Sequence, residues 1–185
     1  AVLVNPTPAT PTITAGSTTT FCDGGSVVLT STPGAAYLWS TGETTQSITV
    51  TTTGSYTVEQ VLLGCSSGAS AATDVLVNPT PAAATITAGS TTTFCAGGSV
   101  TLTSSAGSAY LWSNGATTAS INATTTGSYT VKITDANGCQ SPSSTATTVT
   151  VNPNPAAPTI SASGPTTFCD GGSVTLTSST GTSYL

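Results

Sequence analysis

Charge is the scarcest feature of this sequence. Of 185 residues one is basic, Lys132, and six are acidic: Asp23, Glu43, Glu59, Asp74, Asp135 and Asp170. Charged residues make up 4%, where an ordinary soluble domain carries about a quarter. Histidine and methionine are absent. One lysine cannot displace the counterions of a nucleic acid, so that class of partner is excluded. An anionic membrane surface is excluded on the same ground. No apolar run approaches the roughly 18–20 residues of a membrane span, so membrane insertion is excluded too. No secretory leader is legible, which predicts a mature chain or an internal segment.

Helix formers are nearly as rare, since Glu, Lys, Arg and Met are almost missing. What remains is Thr, Ser, Gly, Ala and Val, with 37% hydrophobic residues. That is too apolar for a simple disordered chain, and its β-branched residues favour strands. The composition predicts an all-β protein.

Internal repetition organises the whole chain. Thr20–Val27 (Thr-Phe-Cys-Asp-Gly-Gly-Ser-Val) returns at Thr93–Val100 and Thr167–Val174. Tyr37-Leu38-Trp39-Ser40 returns at Tyr110-Leu111-Trp112-Ser113, and Thr51–Val58 returns at Thr124–Val131. Val-Asn-Pro begins at Val4, Val77 and Val151. The period of about 73–74 residues exceeds that of common solenoids, so each copy is expected to be its own small domain. The Pro-rich links Asn5–Pro11, Asn78–Ala84 and Asn152–Pro158 mark the boundaries. The expected organisation is the last strand of a preceding repeat over 1–7, whole repeats over 8–80 and 81–154, and the first part of a further repeat over 155–185. The third copy stops at Tyr184-Leu185, where the others place their tryptophan, which predicts a longer protein.

In the second copy, alternation and turn signals predict strands over Thr85–Ala88, Ser99–Ser104, Ala109–Ser113, Ala119–Ala123, Ser128–Thr134 and Thr147–Val151. Asn114-Gly115 and Asp135-Ala136-Asn137-Gly138 are turns. A tryptophan on the third strand and Gly-x-Tyr opening the strand over Ser128–Thr134 describe tandem immunoglobulin-like β-sandwich domains, beads on a string. Trp39, Tyr56, Trp112 and Tyr129 are expected in the cores. Antibody-type domains place a cysteine two residues after that tyrosine; here the position is Val58 or Val131.

Five cysteines occur: Cys22, Cys65, Cys95, Cys139 and Cys169. One precedes the second strand of each copy and one follows its late turn. The simplest pairing is within repeats, Cys22–Cys65 and Cys95–Cys139, with the partner of Cys169 outside the sequence. Closing about 44 residues in this way contributes roughly 4 kcal/mol in chain-entropy terms. However, the two positions lie at opposite poles of an ordinary sandwich, and a disulfide needs α-carbons within about 7 Å. A bridge between repeats, such as Cys22–Cys139, is the alternative. Either arrangement implies an oxidising, extracellular setting.

Chemistry finds little purchase. The acids are scattered and differ between copies, so paired acid–base catalysis is not expected. No catalytic residue, cofactor or metal is assigned. Asp135-x-Asn137-Gly138 has part of a calcium-loop pattern, but calcium needs six to eight oxygens and the first copy has Leu62-Leu63-Gly64 there. A β-turn is the better reading. Lys132 stands in one copy only, against a general isopeptide crosslink. The Thr triplets and Asn122-Ala123-Thr124 are glycosylation candidates by pattern alone.

Taken together, Thr-Phe-Cys-x-Gly-Gly-Ser-Val-x-Leu-Thr, Tyr-Leu-Trp-Ser-x-Gly, Thr-Gly-Ser-Tyr-Thr-Val and Asp-Ala-Asn-Gly-Cys resemble the Ig-like/PKD-like repeats of cell-surface proteins exported by the type IX secretion system of gliding bacteria. Gliding-motility adhesins carry related repeats. The resemblance implies long tandem arrays at the cell surface, serving adhesion, motility or extracellular fibres, and it supplies no catalytic residues. The expected function is structural: a stalk or extracellular filament whose partners are copies of itself, end to end or packed laterally into a fibre. The alternative is an adhesin module with a carbohydrate or cell-surface ligand. An accessory domain of an enzyme is a third option that needs sequence outside this chain.

Overall fold

The computed structural model describes residues 3–181. Residues 1–2 and 182–185, Tyr184 and Leu185 among them, lie outside the described residues. Every regular element among the described residues is a β-strand. The first copy contributes β1 (Ile13–Ala15), β2 (Thr20–Cys22), β3 (Val27–Ser31), β4 (Tyr37–Trp39), β5 (Ser47–Val50), β6 (Gly54–Tyr56), β7 (Val58–Leu62), β8 (Cys65–Ser66) and β9 (Thr73–Asn78). The second contributes β10 (Ile86–Ala88), β11 (Thr93–Cys95), β12 (Val100–Ser104), β13 (Ala109–Trp112), β14 (Ser120–Ala123), β15 (Gly127–Tyr129), β16 (Val131–Thr134) and β17 (Thr147–Asn152). In the third, β18 (Ile160–Ala162) pairs with β19 (Leu176–Ser178).

Each complete copy is a two-layer sandwich. One layer is the antiparallel sheet β1-β3-β5, matched by β10-β12-β14. The other is built on a strand interrupted at Thr57 or Thr130: β6 and β7 in the first copy, β15 and β16 in the second. β9 and then β2 add to the β6 side, and β4 adds to the β7 side. The leading segment thus changes layers. It is antiparallel to β3 as β1, breaks after Ala15, and rejoins as β2 parallel to β9. Among the described residues, all strand pairings lie within one copy.

Alternation explains the packing. Val27, Leu29 and Ser31 face inward while Val28 faces out, and Val100, Leu102 and Ser104 repeat this in the second copy. A period of two puts one face of a strand into the core. Two separate clusters result, one around Trp39 and one around Trp112. The indoles are 1% and 2% exposed. Each Nε1–H donates across 2.8 Å to a backbone carbonyl, Thr45 or Thr118, so the one polar atom of the ring is satisfied. Val58 and Val131, where an antibody domain has its cysteine, are buried and stand directly across the strand pair from Trp39 and Trp112. In the third copy Leu176 is 60% exposed whereas its equivalents Leu29 and Leu102 are at 0%, since the covering strands of a sandwich have no counterpart among the described residues.

The strands differ from expectation at two places. No strand forms over residues 3–7 of those described. Its partners, judged from β9, would be strands of a preceding copy. A strand was not expected at Thr93–Cys95, yet β11 pairs along the end of β17. Three residues are too few to show an alternation.

Candidate functional site

The site this fold builds is the junction between the two sandwiches. On one side stands the Cys-x-Gly-Gly turn. β2 ends at Cys22, whose carbonyl accepts from Gly25 N–H across 2.9 Å. Gly24 has φ +86°, a conformation that costs L side chains free energy. A Cβ on Gly25 would stand 3.0 Å from the Phe21 ring and from the Cys22 carbonyl. Both glycines are therefore needed to fold the chain tightly after the cysteine. Gly97 and Gly98 repeat the turn after Cys95. Asp23 N–H donates to the Asn78 carbonyl and Ala96 N–H to that of Asn152, each across 2.8 Å. This fastens the cysteine to the end of the last strand.

On the other side stands the late hairpin of the second copy. Asp135 Oδ1 accepts from Asn137 N–H (2.9 Å) and Cys139 N–H (2.8 Å), an Asx-type closure that fixes the turn. Thr134 bridges Gln140. In the first copy the hairpin is tighter: Leu62 pairs with Cys65 around Leu63-Gly64, both at positive φ.

Cys22 and Cys139 are disulfide-bonded, with α-carbons 5.6 Å apart and a sequence separation of 117. The bridge joins the first sandwich to the second. Cys65, Cys95 and Cys169 are free thiols. The within-repeat pairings Cys22–Cys65 and Cys95–Cys139 are therefore not the ones formed. The strand register gives the reason. Cys22 faces Asn78, three residues beyond Val75, and Val75 faces Gly54. Cys65 faces Leu62, at the far end of the strand that Gly54 opens. At about 3.3 Å per residue the two poles are roughly 35 Å apart, far beyond disulfide reach. The link carries the second copy's late hairpin to the first copy's Cys22 instead.

Tyr56 and Tyr129 are buried, and their hydroxyls donate to the Thr52 (2.9 Å) and Thr125 (3.1 Å) carbonyls. This closes a tyrosine corner in each copy. With Trp39 and Trp112 they are core groups, not a binding platform. A shallow depression of about 140 Å³ lies over β13 and β16, lined by Leu111, Trp112, Ser113, Thr130, Lys132 and Ser143. The tryptophan in it presents almost no ring surface. Asn122 is exposed and its Oδ1 accepts from Thr101 Oγ1. Among the described residues no three His, Cys, Asp or Glu side chains gather as a metal ligand set. None of the described residues forms a helix long and apolar enough to cross a membrane.

One feature escaped the reading of the sequence. Between the late hairpin and the last strand the chain runs beside β7 or β16, held by serines. Ser67 and Ser70 Oγ accept from Gln60 and Val58 N–H, and Ser141 and Ser144 Oγ accept from Ile133 and Val131 N–H. Each hydroxyl donates to the carbonyl of the next residue. The signal was present as Cys-x-Ser-x-x-Ser in both copies, beginning at Cys65 and Cys139.

No protein-family model matches the chain, and no curated protein matches it. Among solved structures the human OSCAR ligand-binding domain matches with 14% identity and a TM-score of 0.34, over 78% of this chain and 100% of that one.

Proposed function

We propose that the chain is a structural segment of an extracellular array, in which successive β-sandwiches are fastened pole to pole into a stalk or filament. The observation that carries this reading is the Cys22–Cys139 bridge. A disulfide that ties one sandwich to the next fixes their mutual placement, which matters when function depends on reach and direction. It also favours an oxidising compartment. The near absence of charge supports self-association, because a surface of Thr, Ser, Ala and Gly offers little repulsion between copies. The motif resemblance to surface proteins of gliding bacteria points the same way, towards export and a place in an adhesive or motile fibre. No catalytic role is proposed.

Solution scattering of the oxidised chain tests the reading. Two sandwiches of about 35 Å each, set end to end, give a maximum dimension of at least 70 Å. A particle no longer than a single sandwich defeats it. The adhesin alternative predicts saturable binding on a glycan array, which the spacer reading does not.

A further inference from the structure

We infer that Cys65 and Cys95 are the two open ends of a disulfide ladder, each built to bond a neighbouring repeat of the same kind. The inference deepens the structural reading and rests on it. The bridge joins the early cysteine of one copy to the late cysteine of the next. Translation by one copy carries Cys22 to Cys95 and Cys65 to Cys139. The same bond then pairs Cys95 with the late cysteine of a following repeat. It pairs Cys65 with the early cysteine of a preceding one.

The Cys65 end carries an independent mark of its partner. In both complete copies the early cysteine lies directly beside the asparagine of Val-Asn-Pro, Cys22 beside Asn78 and Cys95 beside Asn152. Asn5 is that asparagine for a preceding copy. Its Nδ2 donates to the Leu63 carbonyl across 3.2 Å, two residues before Cys65. An early cysteine held beside Asn5 therefore arrives at the hairpin that presents Cys65.

Burial agrees. Cys139, with its neighbour in place, is fully buried, while Cys65 is half-buried. Cys22 is half-buried, while Cys95 is exposed. The Cys95 turn is the same Cys-x-Gly-Gly structure that presents Cys22. The two thiols cannot meet within one chain, because they occupy the outer poles of two sandwiches in series, each roughly 35 Å long.

The partner is a repeat with the complementary pole, supplied by the same chain or by a second copy docking head to tail. Bond formation converts two thiols to one disulfide and releases two protons and two electrons. A small-molecule disulfide such as oxidised glutathione accepts both and leaves as two thiols.

The test oxidises the chain with glutathione disulfide in a Cys169→Ser background, which removes the third thiol. Non-reducing electrophoresis is expected to show a series of covalent multimers. Mass spectrometry of the unreduced digest is expected to show Cys65–Cys95 peptides between chains. Cys65→Ser and Cys95→Ser variants in this background should each stay monomeric, and their mixture should give dimers only, at least about tenfold above either alone. A second arm uses residues 1–154 followed by another 81–154. There the neighbour is held at millimolar effective concentration, and Cys95 should bond the appended late cysteine within one chain. Linkage in the second arm alone assigns the neighbour to the same chain; linkage in the first also admits a second copy. Absence of both linkages while Cys22–Cys139 is intact overturns the ladder and leaves the array reading standing. Absence of Cys22–Cys139 itself overturns both.

Discussion

Pulling on the chain through its ends should reveal the bridge as missing length. The 117-residue separation between Cys22 and Cys139 is spanned by one covalent bond, so the intervening segment lies outside the load path. At about 3.4 Å per residue the hidden contour is roughly 400 Å. An oxidised molecule held at residues 3 and 181 can extend through residues 3–22 and 139–181 only, roughly 200 Å in all. After reduction, or in Cys22→Ser, the same molecule should reach roughly 600 Å. Single-molecule force spectroscopy resolves this difference easily. The unfolding of β3 to β16 should leave no length signature until the bridge is cut. Equal contour lengths before and after reduction would refute the reasoning. In the absence of force the same closure should raise the stability of the bridged pair by about 5 kcal/mol in the chain-entropy model. Denaturant titration with and without reductant checks this.

Four substitutions probe the parts of the fold that support the junction. Ser144→Ala removes the acceptor of the buried Val131 N–H and should cost about 1–3 kcal/mol in chemical denaturation. Ser104→Ala should cost nothing or stabilise slightly, because the Ser104 hydroxyl is buried without a partner. Leu63, 70% exposed at φ 50°, is a poor residue for its turn. Leu63→Asn should raise the stability of the first copy by about 1 kcal/mol, read as a higher melting temperature. Asp135→Ala removes two amide hydrogen bonds from the hairpin that presents Cys139. It should destabilise the second copy by about 1–2 kcal/mol and slow formation of the Cys22–Cys139 bond, measured by thiol trapping during oxidative refolding.

The sandwich was legible because its determinants are local. The alternation of Val100-Thr101-Leu102, the Tyr-Leu-Trp run and the Gly-Ser-Tyr corner each fix a face or a turn within a few residues, and repetition supplied each signal twice. The cysteine partners were legible only as two alternatives: nearness in sequence favoured pairing within a repeat, while the poles of a sandwich pointed to Cys22–Cys139, the pair that forms. Cys22 and Cys65 are close in sequence, yet they sit at opposite ends of the long strand that starts at Gly54. What decides their poles is the parallel pairing of β2 with β9, a contact across more than 50 residues. The serines that pair with β7 and β16, accepting through their hydroxyls and donating through their backbone N–H groups, had a sequence signature. Serine is so abundant here that the pattern carried little contrast until the geometry singled it out.

Where the disulfide sits decides what the domain must do unaided. A bridge within each repeat would staple a core of about 73 residues, a size at which such help is usual. Here the bridge lies between cores, so no crosslink runs through either sandwich. Within each core the main polar groups are paired: indole N–H and tyrosine O–H groups are satisfied in both copies, and so are the strand amides beside the serines. Scarce charge leaves the junction without the means to set its orientation by ion pairs. A covalent bond supplies that orientation without depending on salt, whereas surface charge pairs weaken as ionic strength rises. Intrinsic stability in each bead and covalent orientation between beads are thus complementary consequences of moving one cysteine pair from the core to the junction.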